Sequence, residues 1–193
     1  MFTAKAPMVI CMDKPWYRKM FSRAPAPDLE VTPATADLGN AEVQFGMGLK
    51  FANGEGTLRD YVQAAEWYRK AADQSHSLAQ FNLGTMYASG HGMVRDDAQS
   101  RIWFGKAARQ GDAGAQFQLG ASCHRASFGR EVKGALESRI EAYKWYHLAA
   151  AQGYKGADGA CTNLVLNMTR ADIAVGDQRV AAFELDQPVP AQD

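Results

Sequence analysis

AQFNLGTMYASGHGMVRDDAQSRIWFGKAARQGDAG, residues 79–114, decides the fold. It reads as one helix, a tight glycine turn and a second helix. The stretch before it, residues 43–78 (VQFGMGLKFANGEGTLRDYVQAAEWYRKAADQSHSL), repeats it at a constant offset of 36 residues with no gap. Gln44 falls on Gln80, Phe45 on Phe81, Gly48 on Gly84 and Phe51 on Tyr87. Gly54 and Gly56 fall on Gly90 and Gly92, Asp60 on Asp96, and Trp67 on Trp103. A fixed period of roughly 20 to 50 residues marks an array of stacked supersecondary units, each too small to bury its own apolar face.

Each unit contains two amphipathic patterns. In the first, Ala79, Leu83, Gly84 and Tyr87 share one face at helical spacing. Gly84 recurs as Gly48 and Gly120. A glycine inside a helix costs about 1 kcal/mol against alanine, so its return at one phase predicts a close helix contact that a side chain would block. Gly54-Glu55-Gly56 and Gly90-His91-Gly92 end these helices, where glycine supplies a left-handed cap. The second helix is predicted to start at a capping box: Asp60 with Gln63, Asp96 with Gln99, and Ser138 with Glu141 in the third unit. Its apolar stripe is Ala64, Trp67, Tyr68, Ala71 and Ala72, repeated as Ser100, Trp103, Phe104, Ala107 and Ala108, and again as Ala142, Trp145, Tyr146, Ala149 and Ala150. Large aromatics facing small alanines let neighbouring helices interlock at short range.

Outside the repeats the pattern changes. Residues 1–23 carry Lys5, Lys14, Arg18, Lys19 and Arg23 against Asp13, interleaved with Trp16, Tyr17, Met20 and Phe21. This is read either as a membrane-surface or partner-docking segment or as a solvated tail. The tail is preferred, because so short a helix does not hold itself. Pro25, Pro27 and Pro33 predict a linker up to residue 36, with Asp37 as the N-cap of the folded part. The units are taken as 43–78, 79–114 and 115–156. The third gains six residues around 127–137, read as an exposed loop. Residues 157–183 form an atypical closing unit, with Thr169 capping the last helix ahead of Asp172, and 184–193 a frayed tail.

The pattern A-x-x-x-L-G-x-x-Y-x-x-G-x-G-x-x-x-D, followed by W-Y-x-K-A-A-x-x-G-x-x-x-A, resembles the Sel-one-like repeat (SLR), a relative of the tetratricopeptide repeat. The middle unit carries nearly all of it: Ala79, Leu83, Gly84, Tyr87, Gly90, Gly92, Asp96, Trp103, Lys106, Ala107, Ala108, Gly111 and Ala115. The first unit departs at Val43, Met47, Phe51 and Ser75. The third departs at Cys123 and Leu148 and loses the glycine turn. The resemblance covers residues 37–183 and implies an all-α fold, a right-handed α-solenoid of helix-turn-helix repeats. It implies a non-enzymatic adaptor of protein complexes, as in bacterial members. A cysteine-rich branch linked to β-lactam binding or hydrolysis carries a cysteine pair in every repeat, and this chain does not.

The composition narrows the function. Lys and Arg total 21, as do Asp and Glu, so there is no global basic field to favour nucleic acid. Cys11, Cys123 and Cys161 are too few for a disulfide framework. No apolar run is long enough to span a membrane. The four histidines have no metal-ligand spacing, no catalytic constellation is visible, and no cofactor or metal is expected. A protein or peptide partner is expected instead, on the concave face lined by the first helices. The candidate contacts are the amides of Gln44, Gln80 and Gln116, which suit backbone recognition, with Phe81, Asn82, Thr85, Met86 and Gln118. The phenylalanines are read as packing between adjacent repeats in preference to meeting a partner, so Asn82, Thr85, Met86 and Gln118 are the better candidates for contact. The expected location is the cytoplasm. The alternative is an exported, periplasmic or membrane-associated envelope protein delivered by residues 1–23.

Overall fold

Eight helices follow one another among the residues described in the computed structural model, 39–56, 58–128 and 132–186. They are α1 (Ala41–Asn53), α2 (Tyr61–Asp73), α3 (Ser77–Ser89), α4 (Asp97–Arg109), α5 (Ala113–Ala126), α6 (Val132–Ala151), α7 (Ala157–Val165) and α8 (Arg170–Leu185). No strand occurs among the described residues. Each helix packs on its sequence neighbours through α7, and α8 returns against α6. The result is an α-solenoid in which α1–α2, α3–α4 and α5–α6 are successive units. The basic segment, the proline-rich linker, Asp37 and the last seven residues lie outside the described residues.

The helix ends follow from local chemistry. Asp60 Oδ1 accepts from the amides of Val62 and Gln63 at 2.9 and 3.1 Å, and Asp96 Oδ1 from Ala98 and Gln99 at 2.9 and 3.0 Å. The expected reciprocal half of the box is replaced. The Asp60 and Asp96 amides donate instead to the Phe51 and Tyr87 carbonyls, at 3.0 and 2.9 Å, which ties each second helix to the end of the first. Asn40, not Asp37, caps α1, its Oδ1 accepting from Val43 N at 3.1 Å. Gly54 and Gly90 close α1 and α3 at φ 76° and 74°. After α2 the left-handed residue is Ser75, at φ 65°, where the other units place Gly111 and Gly153.

The recurring helix glycine is a docking surface for a ring. Gly48 lies under Tyr68, Gly84 under Phe104 and Gly120 under Tyr146. A methyl group at Gly84 would stand 2.8 Å from Phe104 Cδ1, and one at Gly120 2.6 Å from Tyr146 Cδ1. Behind each ring, Ala64, Ala71, Ala107, Ala108 and Ala149 are buried and let the next helix approach. Trp67, Trp103 and Trp145 are buried and each is covered by an ammonium: Lys70 at 4.1 Å, Lys106 at 3.8 Å and Lys144 at 4.2 Å from the ring centroid. Where Leu148 displaces the expected lysine, Lys144 covers the indole from the residue before it. Units also meet at the turns. The His91 ring stacks on Tyr61 at 5.0 Å, and Gly92 rests on the backbone at the start of α2.

The third unit corrects two expectations. The insertion is not wholly a loop: α6 starts at Val132, so most of the added residues extend that helix toward its N-terminus. Ser138 is therefore inside a helix rather than at its cap. The run Ala135-Leu136-Glu137 contains good helix formers and the glycine turn that would stop it is absent. This longer helix gives α8 a surface. Gly176 docks on the Tyr143 ring, and the Tyr143 hydroxyl donates to Asp177 at 2.7 Å. Burial, and then that bond, raise the Tyr143 phenol above its usual range, so it remains a donor. Arg179 bonds Glu137 and Glu141, each at 2.7 Å. Thr169 and Asp172 form a complete capping box, and α8 runs on to Leu185, two residues beyond the expected boundary.

The contrast between two glycines of first helices is testable. Gly84→Ala should lower stability by about 1–2 kcal/mol, since overpacking against Phe104 outweighs the gain in helix propensity. Gly46→Ala, where nothing lies within 4 Å, should raise it by about 0.5–1 kcal/mol. Urea denaturation reads both, and shifts of equal sign would remove the docking role from the glycine. The α6–α8 clamp gives a second test. The Arg179 bond holds the Glu137 carboxyl below its ordinary 4.5, so its stabilisation is complete above that pH and is lost as pH falls through the depressed value. Wild type should melt above Arg179→Gln at pH 7, with the gap closing below pH 4.5. A gap that does not narrow as the pH falls would exclude the ion pair as its source.

Candidate functional site

The glutamine ladder sits inside the stack. Gln44, Gln80 and Gln116 are 5%, 3% and 1% exposed. Gln80 Nε2 donates to the Ala72 carbonyl at 3.0 Å, and its Oε1 accepts from Gln110 Nε2 at 2.7 Å. One repeat on, Gln116 Nε2 donates to the Ala108 carbonyl at 3.3 Å and its Oε1 accepts from Gln152 Nε2 at 2.9 Å. Gln44 accepts from Gln74 at 2.7 Å and donates to the Gly39 carbonyl at 3.4 Å. α3 and α5 thus each join the end of the preceding second helix to the end of their own. An amide buried with both ends occupied has nothing to offer a peptide, so these three residues serve the fold, contrary to the role expected of them.

Two more of the expected contacts turn inward. Met86 is 1% exposed. The Phe81 ring tilts onto Phe104 at 5.6 Å and touches the Gly114 position of the next unit. Its counterparts behave alike: Phe45 stacks on His76 at 4.5 Å, and Phe117 packs on Tyr146 and Tyr154 at 5.4 and 5.1 Å. Asn82, Thr85 and Gln118 remain half-buried and reachable. Thr85 commits its hydroxyl proton to the Phe81 carbonyl at 3.0 Å, leaving its oxygen as an acceptor. Asn82 and Gln118 make no side-chain hydrogen bond to the described residues.

Gln118 opens onto a recess of about 240 Å³ between the second and third units. Its walls are Ser100, Arg101 and Phe104 of α4 and Gln118, Ser122 and Arg125 of α5, with Ala88 of α3 at one end. Asp97 also lines it, and Arg95 grips that carboxylate with two bonds, Nε to Oδ1 at 3.0 Å and Nη2 to Oδ2 at 3.1 Å. That grip holds the Asp97 carboxyl below its usual range. Arg101 and Arg125 are exposed and have no ion pair among the described residues. Such a recess can orient and hydrogen-bond a ligand, and it contains no nucleophile with an adjacent base. The thiols of Cys123 and Cys161 are unbridged and half-buried, and burial pushes both above their ordinary value. No cluster of His, Cys, Asp and Glu fit for a metal exists among the described residues. No helix among them is long and apolar enough to cross a membrane.

Arg101, Ser122 and Arg125 escape a reading that weights recurrence. The residues in phase with Arg101 are Ala65 and Tyr143, and those in phase with Arg125 are Asn53 and Ser89. Their lack of repetition is the signal that could have found them.

Comparison with known proteins fits this geometry. The Sel1 repeat pattern matches residues 41–76, 77–112 and 113–154, so each unit begins two residues earlier than the alignment of the stretches suggested. A Sel1 repeat protein from Oxalobacter formigenes is 32% identical, with a TM-score of 0.58 over 67% of this chain and 93% of its own. The c5321 protein, a protective antigen present in uropathogenic Escherichia coli strains and displaying an SLR fold, is 28% identical with a TM-score of 0.62. That match covers 79% of this chain and 32% of c5321, so this chain spans about a third of its length. A search among curated proteins finds no match.

The relay yields its own test. Gln80→Ala should cost about 1–3 kcal/mol, because the buried Ala72 carbonyl loses its partner. Gln110→Ala should cost less, since Gln110 is exposed at the helix end. Equal losses in chemical denaturation would contradict the burial argument.

Proposed function

The chain belongs to the Sel1 repeat family, and on that premise we propose that it is a non-catalytic scaffold whose first helices hold a protein or peptide partner at Asn82, Thr85 and Gln118. Sel1 repeat proteins generally mediate protein–protein interaction and typically lack catalytic machinery. The supporting observation is the sorting of polar side chains on α3 and α5. The glutamines that recur are consumed inside, while Asn82 and Gln118 keep their amide groups uncommitted at a reachable surface. An amide there can both donate to and accept from an extended backbone, and the adjoining recess adds room for a side chain.

Affinity capture with mass spectrometry, comparing wild type with an Asn82→Ala, Gln118→Ala variant of unchanged melting temperature, tests this reading. A partner captured by wild type and lost by the variant is the expected result. A partner retained in full would move the site off the first-helix face. No reproducible partner would overturn the scaffold reading.

A further inference from the structure

We infer that the recess between the second and third repeats receives an acidic side chain, a glutamate in particular, from a peptide segment of the partner. The inference rests on the scaffold reading and adds the chemistry of what is held. Charge accounting in the middle unit carries it. Its three acids are all committed: Asp96 caps α4, Asp112 caps α5 with Oδ1 accepting from Ala115 N at 2.6 Å, and Asp97 is gripped by Arg95. Asp97 is the one acid among the lining residues, and it faces Arg101 and Arg125 as well as Arg95, so three guanidinium groups meet a single carboxylate there.

The shape fits the same ligand. A guanidinium offers a planar fork that matches a carboxylate with two parallel hydrogen bonds. Arg95 and Asp97 already form such a fork, and Arg95 thereby offsets the charge of the one lining acid that would repel an incoming carboxylate. Ser100, Gln118 and Ser122 add hydroxyl and amide donors to the walls. Between them, Ala88, Phe104 and Ala126 present apolar surface suited to the two methylenes of glutamate. Both arginines are exposed, so neither is needed to hold the core.

Selection from a random heptapeptide display library against the full chain tests the inference. Wild type should enrich peptides with Glu or Asp at one fixed position. A synthetic copy of the enriched peptide should bind the Arg101→Gln, Arg125→Gln variant about tenfold more weakly. Replacing its acid by Gln should cost about the same on wild type and nothing further on the variant. Arg101→Lys, Arg125→Lys keeps the charge without the fork and should fall between. Enrichment of peptides without acids, or equal binding to wild type and variant, overturns the charge assignment and leaves the scaffold reading standing. A library that yields no peptide also overturns it, whereas the scaffold reading falls only if affinity capture finds no partner.

Discussion

A ring seated on a helix glycine sets the spacing on which the molecule depends. Tyr68 on Gly48, Phe104 on Gly84 and Tyr146 on Gly120 bring the two helices of each unit closer than any pair of side chains would allow. At that separation the alanines behind the rings become the right size, because a larger residue would have no volume to fill. Gly176 under Tyr143 reproduces the same seat for α8, which has no counterpart of the repeat's glycine turn. The final helix is therefore attached by the interaction that builds each unit, with Arg179 and Tyr143 adding polar ties at the edge of the contact.

The parts of this fold that are legible in the sequence are those every unit must contain. The glycine turns, the aspartate caps and the aromatic-alanine stripe are local and periodic, so one unit checks another. Features that depend on the neighbouring element are harder to read. Gln63 has the right spacing for a capping box, yet the Asp60 amide finds the Phe51 carbonyl first. Ser138 looks like a cap only if the helix stops before it, and nothing in the added residues stops it. Gln44, Gln80, Gln116 and Met86 look available on a helical wheel, but all four are buried, and the glutamine amides are taken up at the ends of second helices.

This gives recurrence a physical meaning. A residue present at one phase in every unit answers a demand common to all of them, and that demand is stacking. A partner contacts particular units, so what it reads need not repeat. Arg101 and Arg125 are singular in this sense, and Asn82 and Gln118 differ from Gly46 at their own phase. Departures from the repeat can mark stability as well: Lys144 replaces a missing lysine over Trp145, and Ser75 accepts a left-handed conformation that glycine would adopt with less strain.

The glutamine relay bears on how the array comes apart. Each internal amide is satisfied only while the unit before it and its own second helix are both in place. Losing one unit would leave its neighbour with buried dipoles facing no partner, which is more costly than the loss of apolar contact alone. In a one-dimensional stack whose stability is the sum of unit and junction energies, this weights the junctions. Opening that begins at the middle is then disfavoured against fraying from either end. The chain should lose its structure over a narrow range of denaturant, as a single domain does, despite being assembled from modules.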